Sequence, residues 1–149
     1  MFMTGSTAID AERAFTRAAR RRRRAAVARR LRRAPADGAR LSVYGEPRSS
    51  RVRATTGHGV REIPIDAISG TLEPSRAALF DGCFRPAGRA RSRWERVWLA
   101  EQQGAVLPPI SVIEVGDGYA VRDGHHRVSV ARARGALSID ATVDAVDLP

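Results

Sequence analysis

The chain has 149 residues, 43% of them hydrophobic, which suits one modest core and leaves too little length for two ordinary domains. No apolar run approaches the roughly eighteen residues that span a bilayer, and "MFMTGSTAID" lacks the basic start and apolar stretch of a secretory signal, so no membrane partner is expected. The single cysteine, Cys83, excludes an internal disulfide and suits a cytoplasmic, even nucleoid-associated, protein.

The net charge of +10 is concentrated at one end, and every basic residue is an arginine. Residues 1–53 hold 15 arginines and four acids, whereas residues 54–149 hold 11 arginines and 12 acids. Three segments follow: an arginine-rich arm over 1–35, a linker over 36–62, and a compact domain over 63–149.

In the arm, "TAIDAERAFTRAARRRRRAAVARRLRRAP" predicts a helix, because alanine, arginine and leucine favour it. Thr7 with Asp10 approximates a capping box, and Pro35 and Gly38 mark the end. Arg20 to Arg24 are consecutive and encircle the helix, so only Ile9, Phe15, Val27 and Leu31 remain as a thin apolar stripe. Like charges at i, i+4 repel, which predicts a helix that frays alone and firms against a polyanion. The expected partner is nucleic acid, held non-specifically and with strong salt dependence. Its phosphates would meet the guanidinium forks of Arg17, Arg20, Arg21, Arg22, Arg23, Arg24, Arg29, Arg30, Arg32 and Arg33. The plainer alternative is a solvated basic tail. Nothing in the arm resembles a sequence-reading recognition helix.

The linker mixes glycine, serine, proline and arginine, with room for a brief strand at Leu41 to Tyr44. His58, in Gly-His-Gly, reads as a solvated loop residue. Beyond it, "EIPIDAISG" suggests a short strand or turn, then a helical or loop segment ending at Gly70. Glu73-Pro74 opens a turn followed by a helix from Ser75 to Phe80. "SRWERVWLAEQQG" predicts a helix capped by Ser92 and closed by Gly104, with Trp94, Val97 and Trp98 as core anchors. A hairpin follows, Ile110 to Val115 and Tyr119 to Val121 about an Asp117-Gly118 turn. "HHRVSVARARG" predicts a helix ending at Gly135, and "LSIDATVDAVDLP" alternates as a half-buried strand. Intermixed strands and helices make this an α+β domain behind a long basic helix.

The densest chemistry lies at Asp123-Gly124-His125-His126-Arg127, just where strand gives way to helix. A helix start leaves backbone N–H groups unpaired and suited to phosphate; Gly124 permits close approach and Arg127 reaches the same anion. His125 and His126 can donate a hydrogen bond or move a proton near neutral pH. Asp123 can hold a histidine tautomer, cap the helix or face a divalent ion. The alternative is that Asp123 is only the cap and both histidines are surface residues. No metal site is expected, since adjacent helical positions diverge by about 100°. Cys83, with Arg85 as its one nearby cation in sequence, reads as a semi-buried thiol.

Residues 108–143, "PPISVIEVGDGYAVRDGHHRVSVARARGALSIDATV", resemble the nucleotide-binding core of the ParB/sulfiredoxin superfamily. The likeness rests on Pro109-Ile110 opening a strand, on Gly124 to Arg127 as a Gly-x-x-Arg signature, and on Ala131 to Gly135 closing the helix. "IPIDAISGTLEPSR" extends it upstream to about Ile63. The resemblance implies a nucleotide, CTP or ATP/ADP with or without Mg2+, held by Pro109, Ile110, Ser111, Gly124, His125, His126 and Arg127. The branches diverge at His125. It stands where partitioning ParB proteins carry an acid and where sulfiredoxins carry their catalytic cysteine, and Cys83 lies far away, so sulfiredoxin activity is not expected. Free-serine kinases are similar in having Asp-Gly-His before the helix. By that likeness Asp123 and His125 would sit at the phosphates or acceptor hydroxyl, and Glu73 would be the base. The nuclease label attached to some ParB-like domains lacks support here, because no carboxylate cluster for metal-assisted cleavage is visible.

Three readings result. One is a ParB-like, nucleotide-binding, nucleic-acid-associated protein. The second is a small nucleotide-dependent kinase or phosphohydrolase, and the third is an inert interaction module.

Overall fold

The computed structural model describes residues 3–35, 38–45, 52–53 and 59–146; His58 and much of the linker lie outside these. Helix α1 (Met3–Leu31) precedes strands β1 (Ser42–Val43), β2 (Val52–Arg53), β3 (Arg61–Pro64) and β4 (Ile68–Thr71). Then come α2 (Pro74–Ala77), α3 (Arg91–Gln102), β5 (Ile110–Val115), β6 (Gly118–Asp123), α4 (His125–Ala133) and β7 (Ser138–Val146). This is an α+β domain with a long N-terminal helix.

The seven strands form one mixed sheet in the order β1-β4-β6-β5-β7-β2, with β3 also on β7. β5 and β6 are an antiparallel hairpin, flanked by parallel pairings of β4 with β6 and of β7 with β5. Along its second edge β7 takes β3 at Ser138 to Ala141 and β2 at Ala145 and Val146. Consecutive residues of the central strands, Val112 with Ile113 and Ala120 with Val121, are buried, so both faces of the sheet are covered. Ile110, Val112 and Val121 meet Val128 of α4, Phe80 and Phe84 in the main core, while Ile113 and Ala120 meet Leu72 and Tyr44 in a smaller one.

Several elements differ from their expected form. Ile68 to Thr71 is a strand, not a helix or loop, because its partner is the distant β6, which local pattern does not reveal. The hairpin turn is Gly116-Asp117: Val115 pairs with Gly118, and of the two turn residues only Gly116 has positive φ (57°). α2 ends at Ala77 rather than at Phe80. A 3-10 turn at Gly88–Ala90 leads into α3, so Ser92 lies inside the first turn and Ala90 is the cap residue. α1 stops at Leu31, and Arg33 takes the left-handed conformation (φ 50°) of a helix-closing residue. Its neighbour Ala34 donates back to the Arg29 carbonyl at 3.0 Å.

The arm is better packed than its composition implied. Ala11, Ala14, Phe15 and Ala18, at helical spacing, are buried, while Ile9, Val27 and Leu31 of the expected stripe are exposed. Phe15, Ala14 and Ala18 join Trp94 of α3 and Val130 of α4 in a helical layer. Phe15 meets Trp94 edge-on at 5.6 Å, and the Arg91 guanidinium lies 5.3 Å from the Phe15 ring. Alanine lets two helix backbones approach, so a stripe of small residues served where large ones were sought. Trp94 donates its indole N–H to Ser129 Oγ (2.9 Å), which in turn donates to the Phe84 carbonyl (2.5 Å).

Candidate functional site

A cleft of about 340 Å³ opens at the junction of β6 and α4. Its walls include Asp123, Gly124, His125, His126 and Arg127 from the junction, Pro108 before β5, Arg76 from α2, and Arg93 and Val97 from α3. The helix cap is Gly124, in the left-handed region (φ 109°), not Asp123. A Cβ there would lie 2.5 Å from Ile110 Cγ2, so the turn is open only to glycine. The first N–H groups of α4 have no intrahelical acceptor, and its first three residues all line the cleft.

Neither histidine is a surface residue: His125 is 4% and His126 7% exposed. His125 Nε2 is hydrogen-bonded to Thr71 Oγ1 at 2.6 Å, and that oxygen also accepts the Glu73 backbone N–H at 2.8 Å. Phe80 stacks on the His125 ring at 6.5 Å and meets His126 edge-on at 5.2 Å. Burial holds His125 down to about 4, helped by the Arg76 and His126 charges and opposed by Asp123. Burial does the same to His126, also to about 4, with Arg93, Arg76 and Arg96 adding to it. Both imidazoles are therefore neutral near pH 7.

A pH dependence of stability follows. Between about pH 6.5 and 4 the unfolded chain takes up protons on these histidines that the folded chain refuses, so stability falls as pH is lowered through that window. Thermal melting across it should show a falling midpoint. A flat profile would mean that the imidazoles titrate as in water.

Arg127 is only partly available. Its Nη1 donates to the carbonyls of Pro108 and Pro109 (3.0 Å for the second), and Nη2 donates to Asp123 Oδ2 at 3.1 Å. That leaves one Nη2 hydrogen and the Nε hydrogen for a ligand. Of the other residues put forward from sequence, Pro109 acts through its carbonyl, Ile110 is core, and Ser111 pairs with Asp123 in the sheet; none of the three lines the cleft. Glu73 is exposed and outside the lining, although its backbone touches the Thr71 hydroxyl beside His125. In the arm, Arg17, Arg20, Arg21, Arg23, Arg24 and Arg30 of α1 and Arg32 and Arg33 just after it are exposed, and Arg22 and Arg29 are half-buried.

Sequence reasoning missed Arg76 and Arg93. Their local signal was thin: Arg93 and Val97 are four apart and flank the core face of α3 set by Trp94. Among the described residues, neither guanidinium has a hydrogen-bonded or ion-paired partner. Asp123 is the one carboxylate in the lining, and it is already paired with Arg127. The cleft is thus a cationic pocket in a part of the chain that carries one more acid than arginine.

No family model matches the chain, and no curated protein does. Among solved structures, sulfiredoxin from Arabidopsis thaliana is similar with a TM-score of 0.39 and 22% identity, over 58% of this chain and 84% of that one. Among the described residues, no three His, Cys, Asp or Glu side chains gather as a metal site would require, and no helix is long and apolar enough to cross a membrane.

Proposed function

We propose that the cleft at the start of α4 binds the phosphates of a nucleotide, CTP or ATP/ADP. The observation that carries this is that Arg76 and Arg93, with unpaired guanidiniums, line the same cleft as the first residues of α4, whose N–H groups are unfilled. A Mg2+ ion would arrive on the phosphates, with Asp123 as the nearest acid. The arginines of α1 would hold nucleic acid through its backbone, without reading sequence.

A second reading, nucleotide-dependent phosphoryl transfer or hydrolysis, is supported by two imidazoles and a carboxylate, His125, His126 and Asp123, lining the same cleft. A neutral His125 can accept the proton of an attacking hydroxyl or water as its oxygen bonds to the terminal phosphorus and the bridging oxygen leaves. The cleft arginines would bear the charge that develops. Glu73, as the alternative base, would have to swing in from outside the lining.

The test is calorimetric titration of the full chain with CTP, ATP and ADP, each with magnesium, in salt that screens α1. The full chain is needed because Phe15 covers Trp94. Saturable binding of one nucleotide, weakened about tenfold or more in Arg93→Ala, is expected, as for loss of a charged hydrogen bond. No binding, or equal affinity in the variant, would refute the reading. Product formation, assayed alongside, separates binding from turnover.

A further inference from the structure

A second cleft, of about 250 Å³, lies where α1 crosses the loop carrying Cys83 and the last turn of α4. It shares no lining residue with the cleft at His125. Arg21 of α1, Arg85 of the loop and Arg132 of α4 all line it, and no carboxylate does.

The three guanidiniums are unevenly satisfied. Arg21 has no hydrogen-bonded or ion-paired partner among the described residues. Arg132 donates through Nη2 to the carbonyls of Ile65 (3.2 Å) and Ile68 (3.4 Å), has Nη1 4.0 Å from the exposed Asp66 carboxylate and lies 5.7 Å from the Phe84 ring, and its Nε is sealed from solvent with no acceptor. Arg85 leans on Asp81 at 3.4 Å. Asp81 is itself 1% exposed, and its carboxylate also accepts the backbone N–H groups of Cys83 and Arg85, both at 2.9 Å, so the loop wall is rigid. Three like charges gathered at one cleft repel, and an anion between them relieves that repulsion.

We infer that this cleft binds a phosphate group. Guanidiniums arriving from three separate elements suit a tetrahedral oxyanion with several free oxygens better than a planar carboxylate with two. The group can be a free phosphate ion or a backbone phosphate of nucleic acid lying along α1, where Arg21 belongs to both surfaces.

Cys83, the chain's one thiol, is exposed and lines the cleft, so it reports occupancy. The full chain is alkylated with iodoacetamide, a neutral reagent, at constant ionic strength. With inorganic phosphate at roughly ten times its dissociation constant, alkylation of Cys83 should slow about tenfold, following occupancy. Arg85→Ala and, as a variant outside the loop, Arg21→Ala on α1 should each lose that protection. If a short DNA duplex protects and inorganic phosphate does not, with protection again lost in Arg85→Ala, the phosphate comes from a nucleic-acid backbone. Absence of protection by either probe, or protection that survives both substitutions, overturns the inference. Failure of nucleotides to bind at His125 would leave it standing.

Discussion

Gly124→Ala is expected to destabilise the protein by about 2–5 kcal/mol, combining the cost of a left-handed residue with a side chain, about 1–2 kcal/mol, and overpacking, about 1–3 kcal/mol. The added methyl would stand 2.5 Å from Ile110 Cγ2 and 2.9 Å from Ile110 Cβ, with the Arg127 guanidinium at 3.2 Å. Ile110 cannot retreat: it is fully buried at the start of β5 and paired in register with Ala141 of β7. Urea unfolding would show the loss as a lower midpoint at unchanged slope. A change below about 1 kcal/mol would mean that the β6–α4 junction relaxes and is not held as described. Lost ligand binding in such a variant would report a disturbed fold, so Arg93→Ala is the sharper probe of the cleft.

Trp94→Ala should cost about 3–5 kcal/mol, the usual range for a large aromatic side chain removed from a packed interior. Trp94 is fully buried, touches Phe15 and Val130, and donates to Ser129. Its removal opens a cavity in the layer where α1, α3 and α4 meet. The particular consequence is for α1, three of whose four buried residues, Ala14, Phe15 and Ala18, belong to this layer. Trypsin should cut α1 at Arg13 and Arg17 faster in the variant than in the parent chain, at a protease level that spares the sheet. An unchanged cutting rate would show that something other than Trp94 holds α1 in place. Nucleic-acid binding by α1, if it uses a helix anchored at one end, would weaken in parallel.

What could be read along the chain were features set by neighbours a few residues apart. The helices α1, α3 and α4 follow from propensity and period, and the β5–β6 hairpin from two apolar runs about a glycine turn. The αβ junction at Asp123-Gly124 was visible for the same reason, since strand, glycine and helix are consecutive. Even here the detail shifted by one residue, with Gly124 rather than Asp123 at the cap and Gly116-Asp117 rather than Asp117-Gly118 as the turn. Asp123 is at once the last residue of β6 and the partner of Arg127, a role that capping preferences do not encode.

The charge asymmetry, the lone cysteine, the helix–hairpin–helix order and the position of the α4 junction were determined by the sequence itself. Only the tertiary structure decided that His125 and His126 are buried and neutral, because their covers, Thr71 and Phe80, come from more than forty residues earlier. It also decided that Arg76 and Arg93 line one cleft with Gly124, since α2 and α3 reach that cleft only once the sheet has placed β4 beside β6. The alanine stripe of α1 gained its meaning from Trp94 in the same way. Burial and the convergence of charges are properties of pairs distant in the chain, and a local pattern of residues cannot carry them.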